Sequence, residues 1–322
     1  MSTPDFTDAR IHSSCAPEAL LKQLDHGFQQ RDIPPRFHYE SARQARAWMD
    51  LHTTHSPAAN RSDVIDIYQQ AHQAAAQEIG NSKIQLVALG PGGGDKEVDL
   101  INELGKDSLT SVTCIDSSLP LALTSTSRLS DTSHQTNPSV ADFNHQPDIR
   151  QLADLQPDTP TLFTFYGMLP NLPSHQSLAW LSEHMAPGDT ALISANLSPN
   201  EDLKTGAKEV LHQYANPETQ RWLSILLRDH GIDPEQGEWI HEIAQTEPDH
   251  SRIEIHFQPN KPTTAQTITG DHHLKAGEKL RLLYSHRHCP KRLSQTLTKI
   301  GLKTIHSYIE PEGHEGVFLI RK

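Results

Sequence analysis

The segment VALGPGGGDKEVDLI, residues 87–101, constrains the fold of this chain more than any other part of its sequence. An apolar run, IQLVAL, leads into a cluster of glycines, and residues with helical spacing follow it. The cluster consists of Gly90, Gly92, Gly93 and Gly94. Glycine lets a ligand approach bare backbone where a Cβ atom would collide with it. We therefore predict a strand, a ligand-binding loop and a helix in that order.

The same alternation of strand and helix continues on both sides of the loop. Apolar runs predict further strands at residues 111–118, 159–167 and 190–197. Apolar residues three to four apart predict helices at 17–30, 62–79 (with Ser62 as its cap), 97–104 and 177–185. Strands that alternate with helices build a parallel sheet with both faces covered, so the predicted fold class is α/β and Rossmann-like. The polar stretch 124–139 is predicted to be a surface loop.

The pattern changes after Asn196. Residues 201–231 look helical with a break at YANPET, and three runs that resemble antiparallel strands follow, RIEIHFQP, TAQTITG and EKLRLLYSHRH. The tail returns to a helix and two strands, RLSQTLTKIG, LKTIHSYIE and GVFLIR. We predict a second α+β lobe, from about 198 to 288, inserted into the sheet and joined by the N-terminal segment.

Composition excludes several classes of function. The net charge of −12 argues against a nucleic-acid backbone as the main partner. The three cysteines, Cys15, Cys114 and Cys289, are far apart, which argues against a disulfide framework and favours a cytoplasmic location. No apolar run approaches the roughly 20 residues of a membrane span, and the first residues do not resemble a secretory signal. The histidines are scattered, so we predict no metal site. We expect a small-molecule partner, no nucleic acid or membrane partner, and a monomer.

Three classes of ligand use a strand, a glycine loop and a helix. A phosphate-binding P-loop needs G-x-x-x-x-G-K-[ST], but Asp95 stands at its second glycine and Glu97 at its hydroxyl position. Two carboxylates there would repel a triphosphate. A dinucleotide loop needs G-x-G-x-x-G, and Asp95 again replaces the last glycine, where it would compete with pyrophosphate for the helix N-terminus.

The third ligand is S-adenosylmethionine (AdoMet), which carries a sulfonium cation and no phosphate, so it tolerates acidic neighbours. Its ribose needs an acid at the end of the next strand, and Asp116 stands there, 26 residues after Gly90. Its adenine needs a polar contact and an apolar face, and Asp142 and Phe143 offer both one strand further on. Asp116 as a helix cap and Phe143 as a core residue remain the alternative.

With these residues in place, the chain from about 30 to 322 resembles the histidine-specific AdoMet methyltransferases of the ergothioneine pathway. The matching segments, in order, are IPPRFHYES, LGPGGGDK, IDSS, ADF, FYGMLPNL, LHQYANP and LLYSHRH. The resemblance implies a class I methyltransferase sheet that binds AdoMet, residues 61–197 and 289–322. It implies a substrate-binding domain made of residues 1–60 and 198–288.

The resemblance also implies methyl transfer to an α-amino nitrogen and a role for each matching residue. The implied cofactor residues are Gly90, Gly92, Lys96, Asp116, Asp142 and Phe143. The implied substrate residues are Tyr39, Gly167, Asn171, Tyr214, Leu283 and Ser285, with Tyr39 and Asn171 orienting the amino group as the catalytic residues. Four of these residues have an ordinary structural alternative. Tyr39 could be a half-buried tyrosine, Asn171 a turn residue, Tyr214 a residue at a helix end and Lys96 a solvated residue.

The chain departs from the family pattern at three places. Ala88 replaces an acid two residues before the first loop glycine, and His55 with Ser56 replaces an aromatic residue before a proline. Leu283 replaces a glutamate two residues before Ser285, and both would line one pocket wall because alternate strand residues share a face. We therefore expect an amino-acid acceptor that is not preferentially histidine. Histidine as acceptor, a nicotinamide-dependent oxidoreductase and a non-catalytic AdoMet-binding protein are the alternatives.

Overall fold

The computed structural model describes residues 9–131, 136–199, 202–247 and 250–322, without the side chains of 245–247 and 250. Its helices are α1 (Pro17–Gln30), α2 (Ala42–His55), α3 (Pro57–Asn60), α4 (Ser62–Ile79), α5 (Asp95–Leu104), α6 (Leu119–Ser130), α7 (Ile149–Leu152), α8 (Ser174–His184), α9 (Leu203–Glu209), α10 (Pro217–Asp229) and α11 (Pro290–Lys299). Its strands are β1 (Arg10–Ile11), β2 (Ile84–Leu89), β3 (Leu109–Asp116), β4 (Thr136–Val140), β5 (Thr161–Phe165), β6 (Thr190–Asn196), β7 (Gly237–Glu247), β8 (His250–Pro259), β9 (Thr263–Gln266), β10 (Asp271–Leu274), β11 (Leu280–His288), β12 (Lys303–Ile309) and β13 (Glu315–Arg321).

The main sheet has the order β1-β4-β3-β2-β5-β6-β13-β12 within the described residues. Every pair from β1 to β6 is parallel, whereas β13 and β12 are antiparallel to their neighbours. The strand order reverses at β2, which lies between β3 and β5. A ligand crevice forms at such a reversal, outside the carboxyl ends of the strands. The predicted Rossmann-like α/β fold class is confirmed.

Strand β2 explains why both faces of the sheet are covered. All of its residues are buried, and alternate side chains point to opposite faces. Val87 and Leu89 belong to one apolar cluster with the helices α8 and α11, whereas Leu86 and Ala88 belong to another with α4 and α5. A parallel strand buried on both sides needs a continuous apolar run, which is what IQLVAL supplies.

Two antiparallel sheets are inserted between β6 and α11. One has the order β11-β8-β7, and the other is the pair β10-β9. A β-bulge shifts the register of β11 between Arg281 and Leu283. Phe28 of α1, Trp222 of α10 and Phe257 of β8 share one apolar cluster, so the N-terminal helix packs with this inserted region. The division at residues 60, 198 and 288 stays a prediction.

The polar stretch 124–139 was predicted wrongly to be a surface loop. Helix α6 extends to Ser130 and strand β4 begins at Thr136, while residues 132–135 lie outside the described residues. The composition misleads because a helical hydroxyl can bond the preceding turn: Ser125 Oγ donates to the carbonyl oxygen of Leu121 at 3.0 Å and is buried.

Smaller differences concern element ends and elements that the sequence patterns did not predict. Ser62 is the first residue of α4, and the cap position before it is Arg61. Helix α2 and strands β7 and β10 were not predicted. None of the helices in the described parts of the chain has the length and apolar character that a bilayer crossing requires.

Candidate active site

A cavity of about 550 Å³ opens at the edge where the parallel strands of the main sheet end. Residues at or just after the carboxyl ends of β2 to β6 line it, which are Gly90, Asp116, Asp142, Gly167 and Asn196 in strand order. The opposite wall comes from the N-terminal segment and from the inserted region. Every site residue predicted from the sequence lines this cavity: Tyr39, Gly90, Gly92, Lys96, Asp116, Asp142, Phe143, Gly167, Asn171, Tyr214, Leu283 and Ser285.

The glycine loop adopts a backbone that requires glycine. Gly90, Gly92 and Gly94 have φ values of 63°, 57° and 78°, in the left-handed region that other residues rarely adopt. A Cβ atom on Gly92 would lie 2.5 Å from the Trp48 ring, and one on Gly90 would lie 2.0 Å from Met168 Sδ. Both the backbone conformation and the close packing of Trp48 and Met168 therefore require glycine in this loop.

Asp116 is a buried carboxylate at the end of β3. Its Oδ1 accepts a hydrogen bond from the backbone N–H of Ser118 at 2.9 Å, and its Oδ2 accepts one from that of Gly92 at 3.4 Å. Burial raises the pKa of Asp116 to about 6, and the two N–H groups and the charge of Arg36 partly offset this. Ser118 caps α6, so Asp116 is not the helix cap.

Asp142 lies beside the cavity but is already well bonded. Its Oδ1 accepts hydrogen bonds from the backbone and side-chain nitrogens of Asn144 at 3.0 and 3.1 Å, and Arg36 Nη1 lies 3.7 Å from its Oδ2. Arg36 also donates to the Ser117 carbonyl oxygen at 2.9 Å. This buried arginine, which the sequence patterns did not single out, connects the N-terminal segment to the ends of β3 and β4.

Phe143 and Lys96 each combine a cavity position with a structural contact. Phe143 packs edge to face on Trp180, with ring centroids 5.5 Å apart, so it is also a core residue. The Lys96 ammonium lies 5.1 Å from the centre of the Tyr68 ring, a cation–π contact. Lys96 is half-buried and not a freely solvated side chain.

Three aromatic rings form the wall that faces the glycine loop. Tyr39 lies 5.5 Å from Trp48 and 5.2 Å from Trp222, measured between ring centroids. Burial, and then the charge of Asp116, raises the pKa of Tyr39, so its hydroxyl keeps its proton. Trp48 lies on α2, which was not predicted, and its position on the loop could not be inferred from the sequence.

Gly167 and Asn171 follow β5. Gly167 has a φ of 65°, and its N–H donates to Ser194 Oγ at 2.8 Å. Asn171 ends a short 3-10 helix, Leu169–Asn171, and its carbonyl oxygen accepts a hydrogen bond from the Tyr284 hydroxyl at 3.0 Å. That bond holds this turn against β11, so Asn171 is both a turn residue and a cavity residue.

Tyr214 and Ser285 form a hydrogen-bonded pair across the inserted region. The Tyr214 hydroxyl lies 2.8 Å from Ser285 Oγ. Asn196 Nδ2, at the end of β6, donates to Ser285 Oγ at 3.2 Å and to the Tyr214 hydroxyl at 3.4 Å. Asn196 therefore connects the main sheet to two residues of the inserted region, Tyr214 and Ser285. The sequence feature that could have indicated Asn196 was its position directly after the apolar run TALISA.

Strand β11 turns alternate side chains into the cavity. Leu283, Ser285 and Arg287 all line it, whereas Tyr284 between them faces a second cavity. Leu283 is 7% exposed and packs in the apolar cluster of Trp222 and Phe257. Arg287 is 3% exposed and donates to the carbonyl oxygen of Leu197 at 2.7 Å. Because every second residue of a strand shares a face, the prediction for Leu283 and Ser285 could have been extended to place Arg287 in the cavity.

The other two departures from the family pattern differ in position: Ala88 lies in the core, whereas His55 and Ser56 line the cavity. Ala88 is fully buried under the sheet. His55 ends α2 and lies 3.2 Å from Glu218, measured from Nε2 to Oε2. One turn earlier, His52 also lines the cavity, and burial followed by the charge of Lys96 lowers its pKa to about 4, so it is neutral.

Among the described residues that line the cavity, no three side chains have metal-ligand spacing. Among the described residues, one group of side chains with metal-ligand spacing, Glu242, Glu254 and His256, lies on β7 and β8 outside the cavity. Its carboxylates pair with cations: Arg252 and Arg281 contact Glu254, and Lys279 contacts Glu242. These contacts are those of an ion-pair cluster on the inserted sheet.

No curated protein matches the sequence. Solved structures that resemble the fold include an S-adenosylmethionine-dependent methyltransferase from Clostridium acetobutylicum (10% identity, TM-score 0.45, covering 86% of this chain and 98% of that one). Another is magnesium protoporphyrin IX methyltransferase from Synechocystis (8% identity, TM-score 0.48, covering 89% and 97%). Likenesses at this level carry no argument about function.

The sequence profile of one family decides the assignment. The family is described as histidine-specific, SAM-dependent methyltransferases, and its profile matches residues 19–322. The match runs from α1 to the last residue and includes both the parallel sheet and the inserted antiparallel sheets. The chain therefore belongs to this family and is an AdoMet-dependent methyltransferase with a Rossmann-like, class I sheet.

Proposed function

We propose that the protein methylates the α-amino nitrogen of an amino acid or a close derivative, and that histidine is not its preferred acceptor. One observation carries the second part: Leu283, at the position where the family resemblance places a glutamate, lines the cavity beside Ser285. The wall that would receive an imidazole N–H therefore presents a methyl group instead of a carboxylate.

The residues around the glycine loop fit AdoMet. The loop places residues without side chains beside the cavity, and Asp116 offers a buried carboxylate that accepts hydrogen bonds from two backbone N–H groups. We propose that Gly90, Gly92, Lys96, Asp116, Asp142 and Phe143 hold the cofactor. The carboxylates of Asp95 and Glu97 at the start of α5 would compete with a pyrophosphate for the helix N-terminus, and they suit a sulfonium cation better than a dinucleotide.

In this reaction the main role of the protein is to position the two reactants. AdoMet, when bound, supplies an electrophilic methyl group and a neutral leaving group. The attacking group is the neutral α-amine, so the ammonium group of a free amino acid must lose one proton, to water or to a neighbouring group, before its lone pair can attack the methyl carbon. We propose that Tyr39 and Asn171 orient the amine and that Tyr214 binds the carboxylate, with Gly167 beside them. Orientation of this kind lowers the barrier because the reacting atoms must lie about 3 Å apart and in line.

We expect histidine to be recognised more weakly because Leu283 replaces the glutamate carboxylate of the family pattern. A hydrogen bond to a charged group contributes about 1.5–3 kcal/mol. Its absence would weaken histidine recognition roughly ten- to a hundredfold, at about 1.4 kcal/mol per decade. Leu283 instead favours an apolar or aromatic side chain, because it extends the apolar cluster of Trp222 and Phe257 to the cavity surface.

The test is methyl transfer from labelled AdoMet to each of the twenty amino acids, with the product identified by mass spectrometry. We expect an apolar or aromatic amino acid to give the highest kcat/KM. A kcat/KM for histidine ten times that of every other amino acid would contradict the proposal.

Histidine is the second candidate, since the description of the family favours it and Ser285 remains in place. The same test with the twenty amino acids distinguishes histidine from an apolar or aromatic acceptor. AdoMet binding without transfer to any amine would instead favour a non-catalytic binding protein. The family assignment leaves the oxidoreductase alternative without support.

A further inference from the structure

Glu315, the first residue of β13, is a cavity carboxylate that the sequence patterns did not single out. It lines the cavity and is half-buried. Its Oε1 accepts a hydrogen bond from the Tyr68 hydroxyl at 2.7 Å. Among the described residues, Tyr68 is the one hydrogen-bond donor to this carboxylate, so its second oxygen is left for a ligand in the cavity.

Other carboxylates of the cavity wall are bonded to backbone. Glu310, in the turn before β13, accepts hydrogen bonds from three backbone N–H groups of that turn. Asp116 accepts two such bonds, and Asp142 accepts one. Hydrogen bonds of this kind stabilise the charged form of a carboxyl group and so oppose proton uptake. Glu315 has only the bond from a phenol to oppose it.

Glu315 lies between the residues proposed to hold the two reactants. On one side, the ring of its partner Tyr68 lies 5.1 Å from the Lys96 ammonium. On the other side, Glu315 pairs with Asn196 in the register of β13 and β6, and Asn196 Nδ2 donates to the Tyr214 hydroxyl. Paired residues of neighbouring strands point to the same face of a sheet. If Lys96 holds AdoMet and Tyr214 holds the acceptor's carboxylate, the Glu315 carboxylate lies where the methyl group passes between them.

We infer that Glu315 is the catalytic base that removes a proton from the ammonium group of the acceptor. A free α-amine has a pKa of about 7.7–8.0, so most of it is protonated at neutral pH, and the protonated form has no lone pair for attack. A base inside the cavity lets the enzyme use the abundant ammonium form. The inference rests on the proposed function, because it assumes that the α-amino nitrogen of an amino acid lies beside Glu315.

The proposed step is a proton transfer in which nothing is oxidised or reduced. One N–H bond of the ammonium group breaks, and its electron pair stays on nitrogen as the lone pair that attacks. The proton forms an O–H bond on the Glu315 carboxylate, so an ammonium and a carboxylate become a neutral amine and a neutral carboxylic acid. Glu315 releases the proton to water when the product leaves the cavity.

The groups that face Glu315 suit this role. Burial raises the pKa of the Glu315 carboxyl. The hydrogen bond from Tyr68 on α4, and the charges of Lys96 on α5 and Arg287 on β11, partly offset this. Glu310 raises the pKa further. A raised pKa brings the carboxyl closer to the ammonium group that it deprotonates, which makes the transfer less unfavourable.

The pH dependence of Glu315→Gln tests the inference. The variant keeps the size of the side chain but has no base, so its acceptor must lose the proton in solution. With saturating AdoMet and the best acceptor of the twenty amino acids, we expect its kcat/KM to be about tenfold below that of the unchanged protein at pH 7. At pH 9, where most of the amine is already neutral, the two values should agree within about twofold. The Kd for AdoMet, measured by calorimetry, should stay within about twofold of that of the unchanged protein.

Glu312→Gln is the matched control. Glu312 belongs to the same turn, is largely exposed, pairs with Arg61 at 2.6 Å and does not line the cavity. This variant should keep the pH profile of the unchanged protein. The unchanged protein also tests the inference without any variant, because its kcat/KM should stay within about twofold between pH 7 and pH 9. An increase of about tenfold over that range would follow the free amine in solution and would overturn the inference.

The remaining outcomes distinguish the inference from the function that it rests on. A loss in Glu315→Gln that is the same at every pH would show that the carboxylate maintains the cavity and is not a base. A Kd for AdoMet that rises as much as kcat/KM falls would show that Glu315 serves the cofactor. Either result overturns the inference and leaves the proposed function intact. If the unchanged protein transfers methyl groups to no amino acid, both are wrong.

Discussion

The two halves of the cavity are built in different ways. We call the residues proposed to hold AdoMet the cofactor half, and those proposed to hold the amino acid the acceptor half. The cofactor half consists of backbone and short side chains at the ends of β2, β3 and β4, which follow one another along the chain. The acceptor half draws Tyr39 from the N-terminal segment, Asn196 from the main sheet, and Tyr214 and Ser285 from the inserted region. The first half is set by local geometry, and the second by how distant segments pack. Under the proposed function, a single residue such as Leu283 changes the acceptor while the residues proposed to hold AdoMet stay the same.

Among the substitutions that distinguish the two halves, we expect the largest effect from the removal of the Asp116 carboxylate, which should weaken AdoMet binding. Asp116→Ala removes a buried carboxylate that is proposed to accept hydrogen bonds from the ribose, each worth about 1.5–3 kcal/mol. We expect the Kd for AdoMet, measured by calorimetry, to rise about a hundredfold. The KM for the amino acid at saturating AdoMet should change little. A Kd within threefold of the unchanged protein would show that Asp116 does not hold the cofactor.

A change on the acceptor half should have nearly as large an effect and leave the cofactor alone. Leu283→Glu restores a carboxylate beside Ser285, and kcat/KM for histidine should rise roughly ten- to a hundredfold. Leu283→Gln, with the same shape and no charge, is the matched control and should gain less. If the glutamate variant gains nothing for histidine while it still binds AdoMet normally, Leu283 is not the residue that decides the acceptor.

The residues proposed to orient the amine should affect turnover and not cofactor affinity. Asn171→Ala and Tyr39→Phe are each expected to lower kcat about tenfold, since each removes an orienting contact worth about 1 kcal/mol or more. Their Kd for AdoMet should stay within about twofold. An equal loss of turnover and of AdoMet affinity would argue that these two side chains maintain the cavity as a whole.

The smallest expected effect is a pH dependence confined to the cofactor half. The pKa of Asp116 in the folded protein, about 6, is raised by burial, and the ionised form is the one proposed to accept hydrogen bonds. Affinity is therefore full above this value and lost as the pH falls through it. Between pH 7.5 and pH 5 the Kd for AdoMet should rise about tenfold. The Asp116→Asn variant should bind AdoMet more weakly, and its Kd should change little with pH. An equal pH dependence in that variant would show that another group causes it.

Local sequence patterns predicted the fold well where elements are apolar and periodic. The run IQLVAL and the helix after the glycine loop lie where they were expected, because a fully buried strand and an amphipathic helix each leave a clear spacing. The patterns failed at residues 124–139, where serine and threonine hydroxyls that bond within α6 made a buried helix look like a loop. Helix α2 was also missed, and with it Trp48.

The chain order by itself determined the cofactor edge, because parallel strands bring their carboxyl ends to one side and so bring Gly90, Asp116 and Asp142 together. The tertiary structure alone decided the acceptor wall. Trp48 reaches Gly92, and Asn196 reaches Tyr214 and Ser285, only after α2 and the inserted sheet have packed against the main sheet. Those contacts depend on distances between residues far apart in the chain, and a sequence carries no direct record of such distances.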